Sequence, residues 1–222
     1  MRQLYFITGT DTGVGKTVLT ALLVRHLREG GVNAAALKPV CSGVRDDARA
    51  LHAAMNGVLT LDEINPWYFR APIAPLLAAR RERRRVWLAE VVAHVRSLQK
   101  RFEAVLVEGA GGLLSPLGED FDSRDMLAAL RATPVIVGLN RIGVVNQMLL
   151  TLEALPRRVS AGARVVLMSP RKPDASTKTN AGLLAEFFDA KRIFELPWLG
   201  NRPAEKVPAD SRVRRTLRAL VN

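Results

Sequence analysis

The stretch Phe6–Gly31, FITGTDTGVGKTVLTALLVRHLREGG, decides the fold. It reads as a buried strand, a glycine-rich turn and an amphipathic helix that stops at Gly30-Gly31. A phosphate-binding loop is written G-x-x-x-x-G-K-[ST]. Gly15-Lys16-Thr17 supplies its end, but the first glycine falls at Gly9, and Thr10 stands in the expected place. The physics is unchanged by this offset. Gly13 and Gly15 let backbone N–H groups converge on an anion, and the helix N-terminus adds partial positive charge. Lys16 reaches the β- and γ-phosphates, and the Thr17 hydroxyl can ligate Mg²⁺. Thr10, Asp11, Thr12, Gly13, Val14, Gly15, Lys16, Thr17 and Val18 are therefore expected to hold a nucleoside triphosphate with Mg²⁺.

Length and composition agree with one nucleotide-binding unit. The chain has 222 residues, enough for a single domain with a full core, and no interdomain linker or repeat is visible. Cys41 is the one cysteine, which excludes an intramolecular disulfide and a cysteine zinc cluster. No apolar run reaches membrane-spanning length, and the N-terminus reads as a strand rather than a signal sequence. These features predict a cytoplasmic protein. The net charge of +12 comes mostly from scattered arginine, thickened at Arg80–Arg85 and Arg212–Arg218. Solvated helix faces account for it. No helix-turn-helix, zinc finger or basic–aromatic interleaving is present, so neither nucleic acid nor membrane is expected as a partner.

Strands are expected over Leu4–Thr8, Asn33–Pro39, Ala104–Val107, Pro134–Leu139, Arg164–Met168 and Ile193–Leu196. Helices are expected over Lys16–Arg28, Asp47–Asn56, Val86–Phe102, Asp122–Arg131, Val144–Leu155, Ala181–Asp189 and Ala209–Leu220. The alternation predicts an α/β fold, a mostly parallel sheet with helices on both faces, in one domain over 1–222. In such a sheet the site lies at the carboxyl ends of the strands.

Three further charged residues fall at strand ends. Glu108 closes the apolar run of "AVLVEGAGG", followed by Gly109, Gly111 and Gly112, whose bare amides allow close approach of a ligand. Asp47 follows the second strand and competes with Asp46; either could instead cap the next helix. Magnesium takes one or two carboxylates, so Glu108 and Asp47 are candidates. Lys38 ends the second strand and would stabilise developing negative charge in the crevice. His26, His52 and His94 sit on helical patterns, and no base–nucleophile pair is visible. Cys41 reads as a small packing residue.

The segments GTDTGVGKT, KPVCSG, DDARAL, INPWYF, VEGAGGLLSPL, RIGVVNQMLLTLEAL and LPWLG, in this order over about residues 4–200, resemble the dethiobiotin synthetase family. The offset glycine is a feature of that family. The resemblance implies a P-loop NTPase fold and an ATP- and Mg²⁺-dependent ring closure in biotin biosynthesis. The reactants would be 7,8-diaminononanoate and CO₂. They would pass through a carbamate and a carbamic–phosphoric anhydride to dethiobiotin, ADP and phosphate. It implies that Lys16, Lys38, Thr12 and Ser42 act on the reactants. Thr17, Asp47 and Glu108 would hold Mg²⁺. Ser42, Gly111, Gly112 and Asn146 would contact the diamine substrate, and Pro197 would line the adenine pocket. It further implies a homodimer with the site at its interface, where Ile142–Asn146 of the second subunit binds the substrate carboxylate.

The chain departs from the family pattern in three places, of which one, Gly13 where some members carry an acid, has little weight because many members have glycine there. Met168-Ser169-Pro170 stands where members often carry an adenine-reading asparagine, and Pro72–Leu77, PIAPLL, lacks a serine and a histidine of the family's P-x-S-P-H. The competing readings are an amide-forming synthase, for which the chain is too short to carry a glutaminase domain, and a partitioning-type ATPase switch on DNA or membrane. Such switches carry a second lysine early in the loop, where this chain has Asp11.

Overall fold

The computed structural model describes residues 2–200 and 207–221. Its central sheet has six strands: β1 (Gln3–Gly9), β2 (Ala34–Leu37), β5 (Ala104–Glu108), β6 (Thr133–Leu139), β7 (Arg164–Met168) and β8 (Ile193–Leu196). They are parallel and ordered β2-β5-β1-β6-β7-β8. A small parallel pair, β3 (Val40–Ser42) and β4 (Trp67–Phe69), stands beside it. The inner strands are apolar runs without alternation, and Ala104–Glu108 is buried at every position. That pattern belongs to strands covered on both faces.

The connections explain the covering. Helix α1 (Lys16–Glu29) links β1 to β2 in one direction along the sheet, and α6 (Ser123–Leu130) links β5 to β6 in the other. Right-handed crossovers of opposite direction place these helices on opposite faces. The other helices are α2 (Asp46–Ala54), α3 (Leu61–Ile64), α4 (Pro75–Arg81), α5 (Leu88–Gln99), α7 (Val144–Glu153), α8 (Arg157–Ser160), α9 (Asn180–Ala185) and α10 (Ser211–Ala219). Phe6, Ile7, Leu19, Leu22, Leu23, Leu37 and Leu106 form the centre of the core and are fully buried. Each such side chain contributes about 1.5–3 kcal/mol. Helix α1 is therefore anchored by its own apolar stripe, and the loop before it starts from a fixed point.

The structure differs from the sequence expectation mainly after β2. The strand expected over Asn33–Pro39 stops at Leu37, because Pro39 has no N–H for a ladder. Lys38 N–H donates instead to Ile64 O at 2.9 Å. The chain then enters the β3–β4 pair, which the periodicity did not predict, as it did not predict α3, α4 and α8. The helices expected over Val86–Phe102 and Ala181–Asp189 shorten to Leu88–Gln99 and Asn180–Ala185.

Candidate active site

Strands β2, β5 and β1 are neighbours, and their carboxyl ends deliver Lys38, Glu108 and the glycine-rich loop to one place. The ladder pairs Ile7 with Glu108 and Leu37 with Val107, so Lys38 and Glu108 leave the sheet almost level. The offset glycine now has a steric reason. A Cβ on Gly9 would lie 2.8 Å from Val14 Cγ2 and 3.2 Å from Asp11 O, so the loop closes tightly over residue 9 rather than residue 10. Gly15, at φ 101°, takes the left-handed conformation that turns the chain into α1. Lys16 Nζ donates to Asp11 O at 2.7 Å, and Thr12 N–H donates to Asp11 Oδ1 at 2.6 Å. Val14 and Lys16 are buried, Asp11, Thr12 and Gly13 are exposed, and Thr10, Gly15, Thr17 and Val18 lie between.

Lys38 is 3% exposed, yet it carries an ammonium. It donates to Asp47 Oδ2 and to Glu108 Oε1, each at 2.6 Å. Glu108 Oε1 also accepts from Thr17 Oγ1 at 2.7 Å. Burial disfavours the charge on Lys38, but the two carboxylates outweigh it and hold its pKa well above the ordinary lysine value. Burial likewise opposes ionisation of Asp47, and the Lys38 ammonium and Thr17 hydroxyl overcome it, so its carboxyl lies below the usual range. At Lys16 the same two carboxylates and Asp11 compensate only in part. Burial, helped by repulsion from Lys38, lowers it to about 8. The two neighbouring aspartates take different partners. Asp47 meets Lys38, Asp46 pairs with Arg49 at 2.7 Å, and neither caps α2.

Glu108 Oε2 is buried and has no hydrogen-bond partner among the described residues. A hydroxyl, one buried carboxylate with a spare oxygen and a second carboxylate fit the needs of Mg²⁺, which takes few protein ligands and keeps water and phosphate oxygens. No group of three or more His, Cys, Asp or Glu that could hold a metal is found among the described residues.

Beside the loop lies a cleft of about 470 Å³, lined by Thr10, Asp11, Gly112–Pro116, Leu150, Thr151 and Ala154. It joins the loop to the outer side of α7. Gly112 lies near the loop, but its amide is not bare: it donates to Ser115 Oγ at 2.9 Å. Gly111 takes φ 67°, and a Cβ there would meet Ser115 Oγ and face Thr12 Oγ1 at 3.9 Å. Ser42 Oγ donates to Ile73 O at 2.6 Å. Asn146 is exposed in the first turn of α7 and is not among the residues lining the cleft of this subunit. Pro197 is exposed after β8, and the residues from 201 to 206 that follow it lie outside the described ones.

Sequence reasoning missed several residues here. Ser115 and Thr151 line the cleft; both lie inside the segments VEGAGGLLSPL and RIGVVNQMLLTLEAL, but nothing in their spacing marked them individually. Asn140, fully buried after β6, accepts from Asn180 Nδ2 at 2.8 Å and donates to Thr177 O at 3.1 Å. Met168, already noted where family members often carry an asparagine, packs against Gly15 from the end of β7, where its Cγ would lie 3.2 Å from an added Cβ. The histidines behave as packing residues: His94 Nε2 bonds Glu63 O at 2.8 Å and its ring meets Trp67 edge-on.

The profile of a family described as an AAA domain matches residues 3–205. The ATP-dependent dethiobiotin synthetase BioD of Anaeromyxobacter dehalogenans is 43% identical over 198 residues, covering 87% of this chain and 89% of that protein. The protein of the same name from Akkermansia muciniphila is 39% identical over 193 residues, covering 86% and 91%. Among solved structures, a ParA family ATPase from Chlorobium tepidum superposes with a TM-score of 0.57 at 11% identity, covering 98% and 97%. The MinC:MinD cell division complex of Aquifex aeolicus gives 0.61 at 14%, covering 98% and 95%. The structural likenesses establish a P-loop NTPase fold, and the sequence relatives go further: this chain belongs to the dethiobiotin synthetase family.

Proposed function

We propose that the chain catalyses the ATP- and Mg²⁺-dependent carboxylation and ring closure of 7,8-diaminononanoate with CO₂ to dethiobiotin, a step of biotin biosynthesis. One observation carries the reading: a buried ammonium, Lys38, is clamped 2.6 Å from Asp47 and Glu108, and Glu108 also binds Thr17 at the end of the phosphate loop. This supports the reading of Lys38 as a fixed positive charge beside the phosphate loop, available to a terminal phosphoryl group.

The chemistry needs such a charge. One amine of the substrate attacks CO₂ and loses a proton, giving a carbamate. The carbamate oxygen attacks the γ-phosphorus, and ADP leaves. The second amine then attacks the carbonyl carbon, the C–O bond to phosphate breaks, and phosphate and a proton depart. The phosphoryl step brings two anions together. Lys16 and Lys38 would lower the repulsion and stabilise the in-line transition state. Thr17, Glu108 and Asp47 would hold Mg²⁺, which would add charge neutralisation on the phosphate oxygens. Thr12 and Ser42, together with Gly111 and Gly112, would meet the diamine. The apolar part of the cleft, Leu113, Leu114, Leu150 and Ala154, suits an aliphatic chain.

A homodimer completes the reading. Ile142 is 78% exposed and Leu150 63%, and Leu150 borders the cleft. A second copy covering this face would bring its own Ile142–Asn146, with backbone amides at a helix start, to a substrate carboxylate. The experiment is direct. The protein is mixed with the diamine, bicarbonate and one of several nucleoside triphosphates, and the cyclic urea is sought by mass. Formation that requires a triphosphate supports the proposal. Salt-resistant retention on DNA or anionic vesicles without any cyclic urea would favour the partitioning switch instead.

A further inference from the structure

The segment INPWYF contains a residue that the reaction as described leaves without a role. Asn65 is fully buried. Its Nδ2 donates to Lys38 O at 2.7 Å and to Pro39 O at 3.3 Å. Its Oδ1 accepts from Arg45 Nε at 3.1 Å. The other arm of Arg45 donates to Leu61 O at 2.9 Å and Asn65 O at 2.8 Å, and pairs with Asp62 at 2.7 Å. Lys38 N–H is held from the same side by Ile64 O.

The placement of these bonds is specific. Lys38 marks where the chain leaves β2, and Arg45 immediately precedes α2, which has Asp47 in its first turn. One planar amide therefore ties the backbone of Lys38 to the start of the helix that carries its carboxylate partner. An amide is suited to this, because it offers donors to the carbonyls and an acceptor to the guanidinium at once. Aspartate would lose the donors, and alanine would leave buried partners unsatisfied. The bracket that presents Asn65 is itself fixed. Thr60 and Glu63 form a capping box on α3, Glu63 pairs with Arg101 at 2.6 Å, and His94 holds Glu63 O.

We propose that Asn65, acting with Arg45, is a positioning residue: it sets the geometry of the Lys38–Asp47 pair and so controls the rate of phosphoryl transfer and ring closure, without contributing to nucleotide binding. The proposal rests on the role given to Lys38 above. A misplacement of about 1 Å at a reacting centre costs roughly a hundredfold in rate, so a small backbone shift at residue 38 is enough.

The test uses Asn65→Ala and Arg45→Lys in the full chain. The expected result is a kcat for cyclic urea that falls about 10- to 100-fold in each, with the nucleotide Kd changed less than about threefold. Val95→Ala, a cavity in the core of α5 away from the site, serves as a stability control. It should lower the Tm and leave kcat unchanged. Crystal structures of the two variants should show Lys38 Nζ withdrawn from Asp47 or Glu108. The proposal is overturned if kcat stays within about threefold of the parent in both variants. It is equally overturned if rate and nucleotide affinity fall together, or if Lys38 keeps both contacts in the variant crystals. Should the parent form no cyclic urea, the function proposed above fails, and the crystal structures still decide the positioning. Arg45→Lys keeps the charge and the Asp62 pair, so it stands in if Asn65→Ala does not fold.

Discussion

The two halves of the sheet's carboxyl edge are built on different principles. At β2, β5 and β1 the groups are charged and buried: Lys38 and Glu108 at strand ends, and Lys16 at the start of α1, where the loop after β1 delivers it beside Thr17. At β6, β7 and β8 the edge is held by side-chain amides and by the exposed carboxylate of Asp174 bonding to loop backbone. Asn140 joins Asn180 and the 174–180 segment, and Asp174 accepts from Ile142 N–H at 2.9 Å. The first half fixes charge at cost, since each buried ion must be paired. The second fixes shape, with bonds that can be lost one at a time. If the first half carries the reaction and the second only frames the nucleotide and the neighbouring loop, the two should respond differently to substitution.

The largest effect is expected at Lys38. Lys38→Ala removes one preorganised charge from the transition state, and kcat for cyclic urea should fall by about 10²–10³ or more. The nucleotide Kd should change little, because the loop and α1 are anchored by their own core. It also leaves the Glu108 carboxylate buried without its cation, a loss of about 3–5 kcal/mol in stability where no rearrangement intervenes. Steady-state turnover and equilibrium binding, measured on the same preparation, separate the two effects. An Ala variant that still turns over at the parent rate would take Lys38 out of the reaction and erase the contrast.

Next comes a pH effect confined to the same half. Lys16 is held at about 8 by burial and by repulsion from Lys38, below its ordinary 10.5. A triphosphate on the loop would favour the charged form and raise that value. Below pH 8 Lys16 is already protonated, so binding takes up no proton and the affinity is flat. Above pH 8 the free protein has lost the proton, and binding must recover it. The Kd should then rise nearly tenfold per pH unit, with uptake approaching one proton. Calorimetry at pH 6.5 and pH 9 in buffers of different ionisation enthalpy reads the proton directly. Equal uptake at both values would show that Lys16 is not the group that meets the phosphates.

This division also explains what the sequence could say. The phosphate loop, Lys38, Glu108 and the sheet were legible because apolar runs end in charged residues, and a charge at a buried strand end is too costly to keep unless a partner or a ligand meets it. Spacing alone left Asp47 and Asp46 open, since both lie in the first turn of α2; the family resemblance named Asp47, and a side-chain contact with Lys38 is what distinguishes it in the structure. Asn65 was visible only as part of a motif. Its role depends on Lys38 and Arg45, which lie 27 and 20 residues away along the chain. The expected bare amide at Gly112 was taken by Ser115, a partner that no spacing rule supplies. The β6–β8 loops were the least legible, because polar residues there bond to backbone atoms, and any loop offers those.

The smallest effect on the reaction is expected at Asn140, and it is the sharpest test of the contrast. Asn140→Ala removes the acceptor of Asn180 and the donor to Thr177 O in a fully buried position. Unmade bonds of this kind cost about 1–3 kcal/mol, so global stability should fall by that order. Asn180 keeps Arg141 O and Ser176 Oγ as partners at 3.2 Å each, which limits the loss. Backbone amides of 174–180 should exchange faster, while those of β1 and β5 keep their protection. Turnover at saturating substrate should stay within about threefold of the parent, because neither Lys38 nor Glu108 touches this network and distant sites act additively. A loss in kcat as large as that of Lys38→Ala would mean that the amide-held half transmits its geometry to the charged half, and the edge would have to be treated as one cooperative unit.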